Sequence, residues 1–387
     1  MMQRVRNTRA KALIIGFAAV AMCAALFCVN RSSEVRQVEA AASGISDLEA
    51  ATDPEVLRHR RQAVNNFLRA KPRTVVDLLH RWRVDATVFG NWTGNLDLRS
   101  QMMTVLSLPE FRRKFPESDG LMVRSTSGWQ VRSRLQAAGK EEWQFEAHID
   151  QMLATCAEVG VPGDQVVDMG KEQCTILDLV QTSRRSYVVD QESAWSVVAY
   201  CHYLPEEPSW QNRFGEWHSY QSIAERLIMS KADEGPCNGT HKQYALALML
   251  RADKRRRMFS RDVRSRVQTY LRNSTSHLVK SQNASGSWPS HWVDERAPGG
   301  GHGDGSRSLD RMIQVTAHHI EWALIAERDL RPGDEALTKA AQFLTVALQY
   351  NGPEEIVKNY CGYSHAARVI ALFMGQDRTT TGDATLP

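Results

Sequence analysis

From Thr240 to Leu250 the apolar residues recur at helical spacing. Tyr244, Ala245, Leu248 and Met249 form one stripe behind a small polar turn, Cys237-Asn-Gly-Thr-His241. Gly239 breaks the preceding segment, and Thr240 is placed to cap the helix that follows. The same order of a polar or aromatic anchor and an apolar stripe returns along the chain. His148 precedes Met152 and Leu153, Trp195 precedes Val198 and Ala199, His319 precedes Trp322 and Ala323, and His365 precedes Val369 and Ile370. The anchors are spaced by roughly 46 residues, the length of a helical hairpin with its loops. One interval is longer, roughly 78 residues, and holds an extra loop with Pro298-Gly-Gly-Gly-His302-Gly-Asp-Gly305.

Partner helices are predicted between the anchors, over Ile176–Thr182, Ser219–Met229, Arg261–Lys280 and Asp334–Leu348. Glu55–Leu68 with Leu98–Leu106 makes a first, weaker pair. Six anchor helices alternating with partners predict an all-α fold, an (α/α)6 toroid of about six helical hairpins over residues 55–375. An open solenoid has the same period. Closure is favoured because the last segment, His365–Gly375, is apolar, whereas the end hairpins of open arrays carry polar outer faces.

The N-terminus changes the picture. Arg4, Arg6, Arg9 and Lys11 precede Ala12–Val29, a run without charge. This pattern predicts a signal-anchor transmembrane helix, with residues 1–30 as cytoplasmic tail and anchor. Residues 31–54 are polar and Ala/Ser-rich and read as a flexible tether; residues 376–387 read as a disordered tail. The expected partner is therefore a membrane, through residues 12–29. The main domain is expected outside the cytoplasm, in the periplasm if the source is bacterial. With 42% hydrophobic residues in 387, the rest suffices for one large domain. Net charge is only +4 and the basic residues are scattered, so no nucleic-acid partner is expected. Arg58-His-Arg-Arg61 and Lys254-Arg-Arg-Arg257 read as solvated helix ends.

In a ring the anchor helices all begin at one end of a central cavity. Their N-termini offer free N–H groups to a polar ligand, a small molecule or a glycan. His148, His241, His319 with its neighbour His318, and His365 would converge there, with Glu321 and Tyr363 as further catalytic candidates. A repeat copies structural caps as readily as sites, so each histidine also reads as a cap. Asn238, Thr240, Trp288 and Trp292 are candidates for substrate binding. Cys237-x3-His241 and Cys361-x3-His365 have the spacing of metal-ligand pairs, with His319 as the natural third ligand and zinc as the metal. A Cys237–Cys361 disulfide or two buried thiols would use the same residues. Glu192 is a further acid-base candidate, and Glu146 and Asp150 share a helical face that reads as solvated. Tyr363, His365 and Asn238 have the residue types of a polysaccharide lyase site. No P-loop, dinucleotide fingerprint, Gly-x-Ser-x-Gly elbow or His-Glu-x-x-His helix is present.

The segment Leu278-x3-Gln282-x3-Gly286-x-Trp288 resembles the QW repeat of squalene–hopene cyclases, shared in looser form by protein prenyltransferases. The resemblance to this terpenoid cyclase and prenyltransferase superfamily implies that the motif joins an outer to an inner helix. Gln282 would cap and Trp288 would stack, and the inner helices would line the cavity. It covers this motif and the helical period, about residues 140–375, with one good copy. The Asp-x-Asp-Asp acid of the bacterial cyclases is missing, as is the Asp-x-Cys pair of the prenyltransferase zinc site. The resemblance thus speaks to fold and not to cyclase chemistry. Three function classes follow: an extracytoplasmic enzyme acting on an isoprenoid-like or carbohydrate substrate, a non-catalytic binding or scaffold protein on the same fold, and a purely structural anchored domain.

Overall fold

The computed structural model describes residues 37–39, 42, 53–116, 120–133, 145–293 and 308–376. Ala12–Val29, most of the tether, His302 and the tail after residue 376 lie outside the described residues. Among those described, no helix is long and apolar enough to cross a membrane.

The described chain is mainly α-helical. The helices are α1 (Pro54–Arg69), α2 (Val75–Phe89), α3 (Leu96–Leu106), α4 (Leu108–Lys114), α5 (Gln151–Glu158), α6 (Ile176–Ser186) and α7 (Ala194–Tyr203). They continue as α8 (Tyr220–Met229), α9 (Thr240–Arg256), α10 (Arg261–Ser281), α11 (Leu309–Ile325), α12 (Asp334–Tyr350), α13 (Pro353–Lys358) and α14 (Tyr360–Gln376). Three antiparallel hairpins are interspersed: β1–β2 (Met122–Ser125, Gly128–Val131), β3–β4 (Val166–Asp168, Gln173–Thr175) and β5–β6 (Ser209–Gln211, Trp217–Ser219). Two of them feed helices by one device. Thr175 ends β4 and caps α6 with Asp178, and Ser219 ends β6 and caps α8 with Ser222, each as a reciprocal box that satisfies orphan N–H groups.

Six helices pack in succession: α2 on α5, α5 on α7, α7 on α9, α9 on α11, α11 on α14, and α14 again on α2. The others lie against these. α10 packs on α8 and α9, α12 on α11, α14 and α1, and α6 on α5 and α7. The expected first anchor is corrected. Leu96–Leu106 packs on α2, α4 and β3, and the place beside α5 and α14 belongs to α2. Its apolar pattern is obscured because His80, Arg83 and Asp85 are buried along with Leu78, Leu79 and Trp82.

The Gln282–Trp288 segment ties three helices. Gln282 donates its amide to Gly286 O at 2.9 Å and to Ala336 O, in α12, at 2.8 Å. Gly286 sits at φ 91° and its α-carbon lies against α12, where a Cβ would come within 2.3 Å of Lys339 O. Trp288 is fully buried; its ring N–H donates to Leu278 O at 2.9 Å, and its backbone N–H to Thr316 Oγ1 at 2.9 Å. Trp288→Ala should cost about 3–5 kcal/mol in urea unfolding, the cost of removing a large buried ring. A change below about 1 kcal/mol would show that the ring does not hold α10 to α11.

Candidate functional site

The successive helices bring polar residues inward at helical spacing. His80 and Arg83 come from α2, His241 and Tyr244 from α9, Gln314, His318 and Glu321 from α11, and Cys361, His365 and Arg368 from α14. Members of each set are three or four residues apart and share a face. His148 precedes α5 and Glu192 precedes α7. Five imidazoles make one continuous run. Ring centroids are 4.7 Å apart for His148–His241, 5.0 Å for His241–His318, 3.8 Å for His318–His365 and 5.0 Å for His365–His80.

Two thiols flank the run. Cys361 and His365 are one turn apart in α14. Cys237 lies in the turn Pro236–Gly239, where Cys237 and Asn238 take left-handed φ of 49° and 57°. Gly239 completes the turn at φ 76°, and a Cβ there would meet Ala232 O at 2.0 Å, so glycine is required. Thr240 Oγ1 donates to Cys237 O at 2.7 Å, and Ser364 Oγ donates to Cys361 O at 2.6 Å. The two units therefore share the pattern Cys-x2-[Ser/Thr]-His and the same internal bond. The Gln314 amide lies between the thiols and donates to Cys237 Sγ at 3.5 Å and to Cys361 Sγ at 3.8 Å. Three triads have ligand atoms within 4.8 Å of one another: His148–Cys237–His241, His80–Cys361–His365, and His318–Glu321–His365.

The hydrogen bonds fix the tautomers. His148 Nδ1 is 2.9 Å and His241 Nδ1 3.4 Å from Glu192, and His365 Nδ1 is 2.8 Å from Glu321. His80 Nδ1 is 2.8 Å from Val76 O. Carboxylates and carbonyls only accept, so Nδ1 of His80, His148 and His241 carries the proton and Nε2 keeps its lone pair, whereas His365 Nδ1 faces a donor as well, Arg83 Nη1 at 3.3 Å. The lone pair of His80 faces the cluster. His80 Nε2 is 3.4 Å from Cys361 Sγ and 3.5 Å from the Gln151 amide. His318 Nε2 is buried without a partner.

Burial and charge set the ionisation. Burial pushes His80 and His241 down to about 3, against the pull of the Glu192 bond on His241, and pushes His365 and His318 down as well, so these four imidazoles are neutral. Burial opposes ionisation of Glu192, but the bonds from His148 and His241 prevail and hold it at about 2. Burial likewise opposes ionisation of Glu321, and Arg83, His365 and Arg368 together hold it well below the usual range. Burial pushes Cys361 up to about 12 and Cys237 well above the ordinary thiol value. Beneath the imidazoles runs an ionic layer. Arg83 Nε is 2.6 Å from Glu158, Arg83 and Arg368 both reach Glu321, and Tyr244 donates to Glu158. Glu158, Tyr244 and Arg368 also line a cavity of about 240 Å³ at the C-terminal ends of these helices, beside Arg251, Arg255 and Arg256.

The placement corrects several expectations. His319 points away from the run. It accepts from Trp322 Nε1 at 3.1 Å and packs edge-on against Trp288 and Trp292, and its neighbour His318 takes the inward position. His318 and His365 are not in first turns, since α11 begins at Leu309 and α14 at Tyr360. Helix N-termini therefore do not explain the cluster. Thr240 is the first residue of α9 rather than its cap, and its hydroxyl turns back to Cys237. Trp288 and Trp292 are fully buried, and Trp292 Nε1 donates to Asn238 O at 3.0 Å, so neither ring is a platform for a ligand. Tyr363 is buried and donates to Asp310 at 3.3 Å, off the His365 face. Glu146 and Asp150 are buried, not solvated. Glu146 accepts from the N–H groups of Asp150 and Met152, both at 2.8 Å, and Asp150 accepts from Ser183 and Ser196 at 2.5 Å. Glu321 lies three residues after His318 and shares its face. Missed altogether were His80, Arg83, Gln314 and Arg368. The recurrence of Cys-x2-[Ser/Thr]-His and the i, i+3 or i, i+4 polar partners were the available signals.

No family model, curated protein or solved structure matches the chain.

Arg83→Met leaves Glu158 and Glu321 buried with less compensation. Breaking a buried pair from one side costs about 3–5 kcal/mol, and urea unfolding should register that loss. A loss below about 1 kcal/mol, the size of a surface pair, would contradict the role of Arg83 as the central counter-ion.

Proposed function

We propose that the chain is an (α/α)6 toroid with a metal-dependent active site on its axis, anchored in a membrane through residues 12–29 with the toroid outside the cytoplasm. The cycle of contacts from α2 through α14 and back supports the toroid. One observation carries the metal reading. Four imidazoles have Nδ1 beside an acceptor and form, with two thiols, two trios whose ligand atoms lie within 4.8 Å of one another. Metal-ligating histidines are oriented in this way by carboxylates and carbonyls behind them. Imidazole nitrogen and thiolate sulfur select zinc and similar late first-row ions over magnesium or calcium. A bound zinc supplies Lewis acidity and brings the pKa of its water to about 7.

The protein's residues do the rest. Glu192 fixes two rings at once and Glu321 fixes His365. Arg83 and Arg368 keep Glu321 ionised behind it. The axis carries Arg83, Glu158, Glu321 and Arg368 where an isoprenoid chain would need apolar walls, so a hydroxyl-rich polar substrate such as a glycan fits it better. One observation favours the second reading, a non-catalytic metal-binding scaffold. Among the described residues every carboxylate near the run is already engaged by two or more partners, so no carboxylate base stands free there.

Elemental analysis of the purified full chain should find zinc or another late first-row metal, and dialysis against a chelator should remove it with a lowered Tm. Activity on a panel of glycan substrates should fall with the metal and return with it. Protein that holds no metal above background after zinc supplementation contradicts the reading; metal without any activity supports the scaffold. The anchor is tested separately. Protease added to intact spheroplasts should digest the domain after residue 55, and a protected domain contradicts the topology.

A further inference from the structure

We propose that the centre holds two metal ions, one on each Cys-x2-[Ser/Thr]-His unit, with a closed site at Cys361 and an open one at Cys237. This rests on the metal reading above and deepens it.

The two triads share no residue. His148, Cys237 and His241 form one, and His80, Cys361 and His365 form the other. Each takes its sulfur and one imidazole from a single unit and its second imidazole from elsewhere, the segment before α5 or helix α2. Each unit has the same internal bond, from the hydroxyl before the histidine to the cysteine carbonyl. The local backbones nevertheless differ, a left-handed turn in one and a helix in the other. Two unlike backbones thus deliver the same ligand trio.

The spacing suits a metal. Tetrahedral sites with Zn–N of about 2.0–2.1 Å and Zn–S of about 2.3 Å place neighbouring ligand atoms about 3.3–3.8 Å apart. His80 Nε2 and Cys361 Sγ are 3.4 Å apart. The protons are arranged for it at His80, His148 and His241, whose Nδ1 atoms are bonded to acceptors and whose Nε2 atoms keep their lone pairs.

One ion cannot serve both units as they stand. Gln314 lies between the sulfurs, with its amide nitrogen 3.5 Å from one and 3.8 Å from the other. A metal shared by both would have to displace this amide, and four ligands would leave at least two of the six donors unused. Two ions use all six.

The two sites then differ in their fourth ligand. The ring of His318 is 3.8 Å from that of His365 and 5.0 Å from that of His241, and its Nε2 is buried without a partner. As it stands His318 groups with Glu321 and His365 rather than with the Cys361 trio, and a turn of its ring towards that trio would complete the site as one sulfur and three nitrogens. The Cys237 site keeps three protein ligands and an open position, and it is the more accessible one. The side chain of His148 is 17% exposed, against 1% for that of His365. Closed sites are structural, and sites with an open position exchange water and substrate.

The test is a titration of the metal-free, reduced full chain with Co(II), followed by the thiolate-to-cobalt absorption band and by elemental analysis. The wild type should take up two equivalents and develop the band in two steps. Cys237→Ser and Cys361→Ser should each halve the sulfur band, and the pairs Cys237→Ser/His241→Ala and Cys361→Ser/His365→Ala should each reduce uptake to one equivalent. His318→Ala should weaken the Cys361 step alone. Adding azide should perturb the visible spectrum of the Cys361→Ser/His365→Ala variant and not that of Cys237→Ser/His241→Ala. Circular dichroism of each variant checks the fold, and the single Cys→Ser changes remain informative if a pair does not fold. One equivalent in the wild type, lost with either unit, overturns the two-ion proposal and leaves the metal reading standing. A Cys237–Cys361 disulfide that re-forms in air and excludes metal also overturns it. No uptake at all overturns both.

Discussion

A carboxylate sealed away from water needs cations and N–H donors around it, and in this protein that need shapes the centre. Glu321 on α11 is buried and bonded by His365 and Arg368 from α14 and by Arg83 from α2. Glu192 before α7 plays the same part for His148 and His241. Neither carboxylate is satisfied by its sequence neighbours alone. Their partners come from four other segments, so the ionic contacts and the packing of successive helices require each other. Removing one partner exposes the rest to the cost of an unpaired buried charge.

The neutral imidazoles follow from the same burial. With the carboxylates ionised, the Nδ1–H groups of His80, His148 and His241 have acceptors and their Nε2 lone pairs can turn to a cation. The thiols are held protonated by burial in the absence of a metal. A divalent ion would deprotonate them and add positive charge where the pocket holds two thiols and several lone pairs. On the proposed metal reading, binding the ion and stabilising the fold would be coupled.

Much of the architecture was legible in the sequence because it rests on apolar periodicity. The partner helices Ser219–Met229, Arg261–Lys280 and Asp334–Leu348 fall on α8, α10 and α12. The pattern failed where polar residues face inward. Helix α2 carries His80, Arg83 and Asp85 among its buried residues, so its apolar stripe is broken and the periodicity passes over it. The choice between His318 and His319 turns on helix phase. Two adjacent residues differ by about 100° around a helix, and only the tertiary packing of Trp288, Trp292 and Trp322 on His319 decides which one turns outward. Cys237 and Cys361 were legible as equivalent by their spacing. Their approach to one amide depends on the left-handed turn before α9, which the lone glycine in Asn-Gly-Thr signals only in part.

The central claim is that sulfur and imidazole nitrogen together bind a metal on the axis. X-ray absorption at the metal edge of the purified full chain measures that first shell directly. The account predicts nitrogen at about 2.0–2.1 Å and sulfur at about 2.3 Å, in a ratio of two or three nitrogens to one sulfur. A shell of oxygen and nitrogen without sulfur would contradict it.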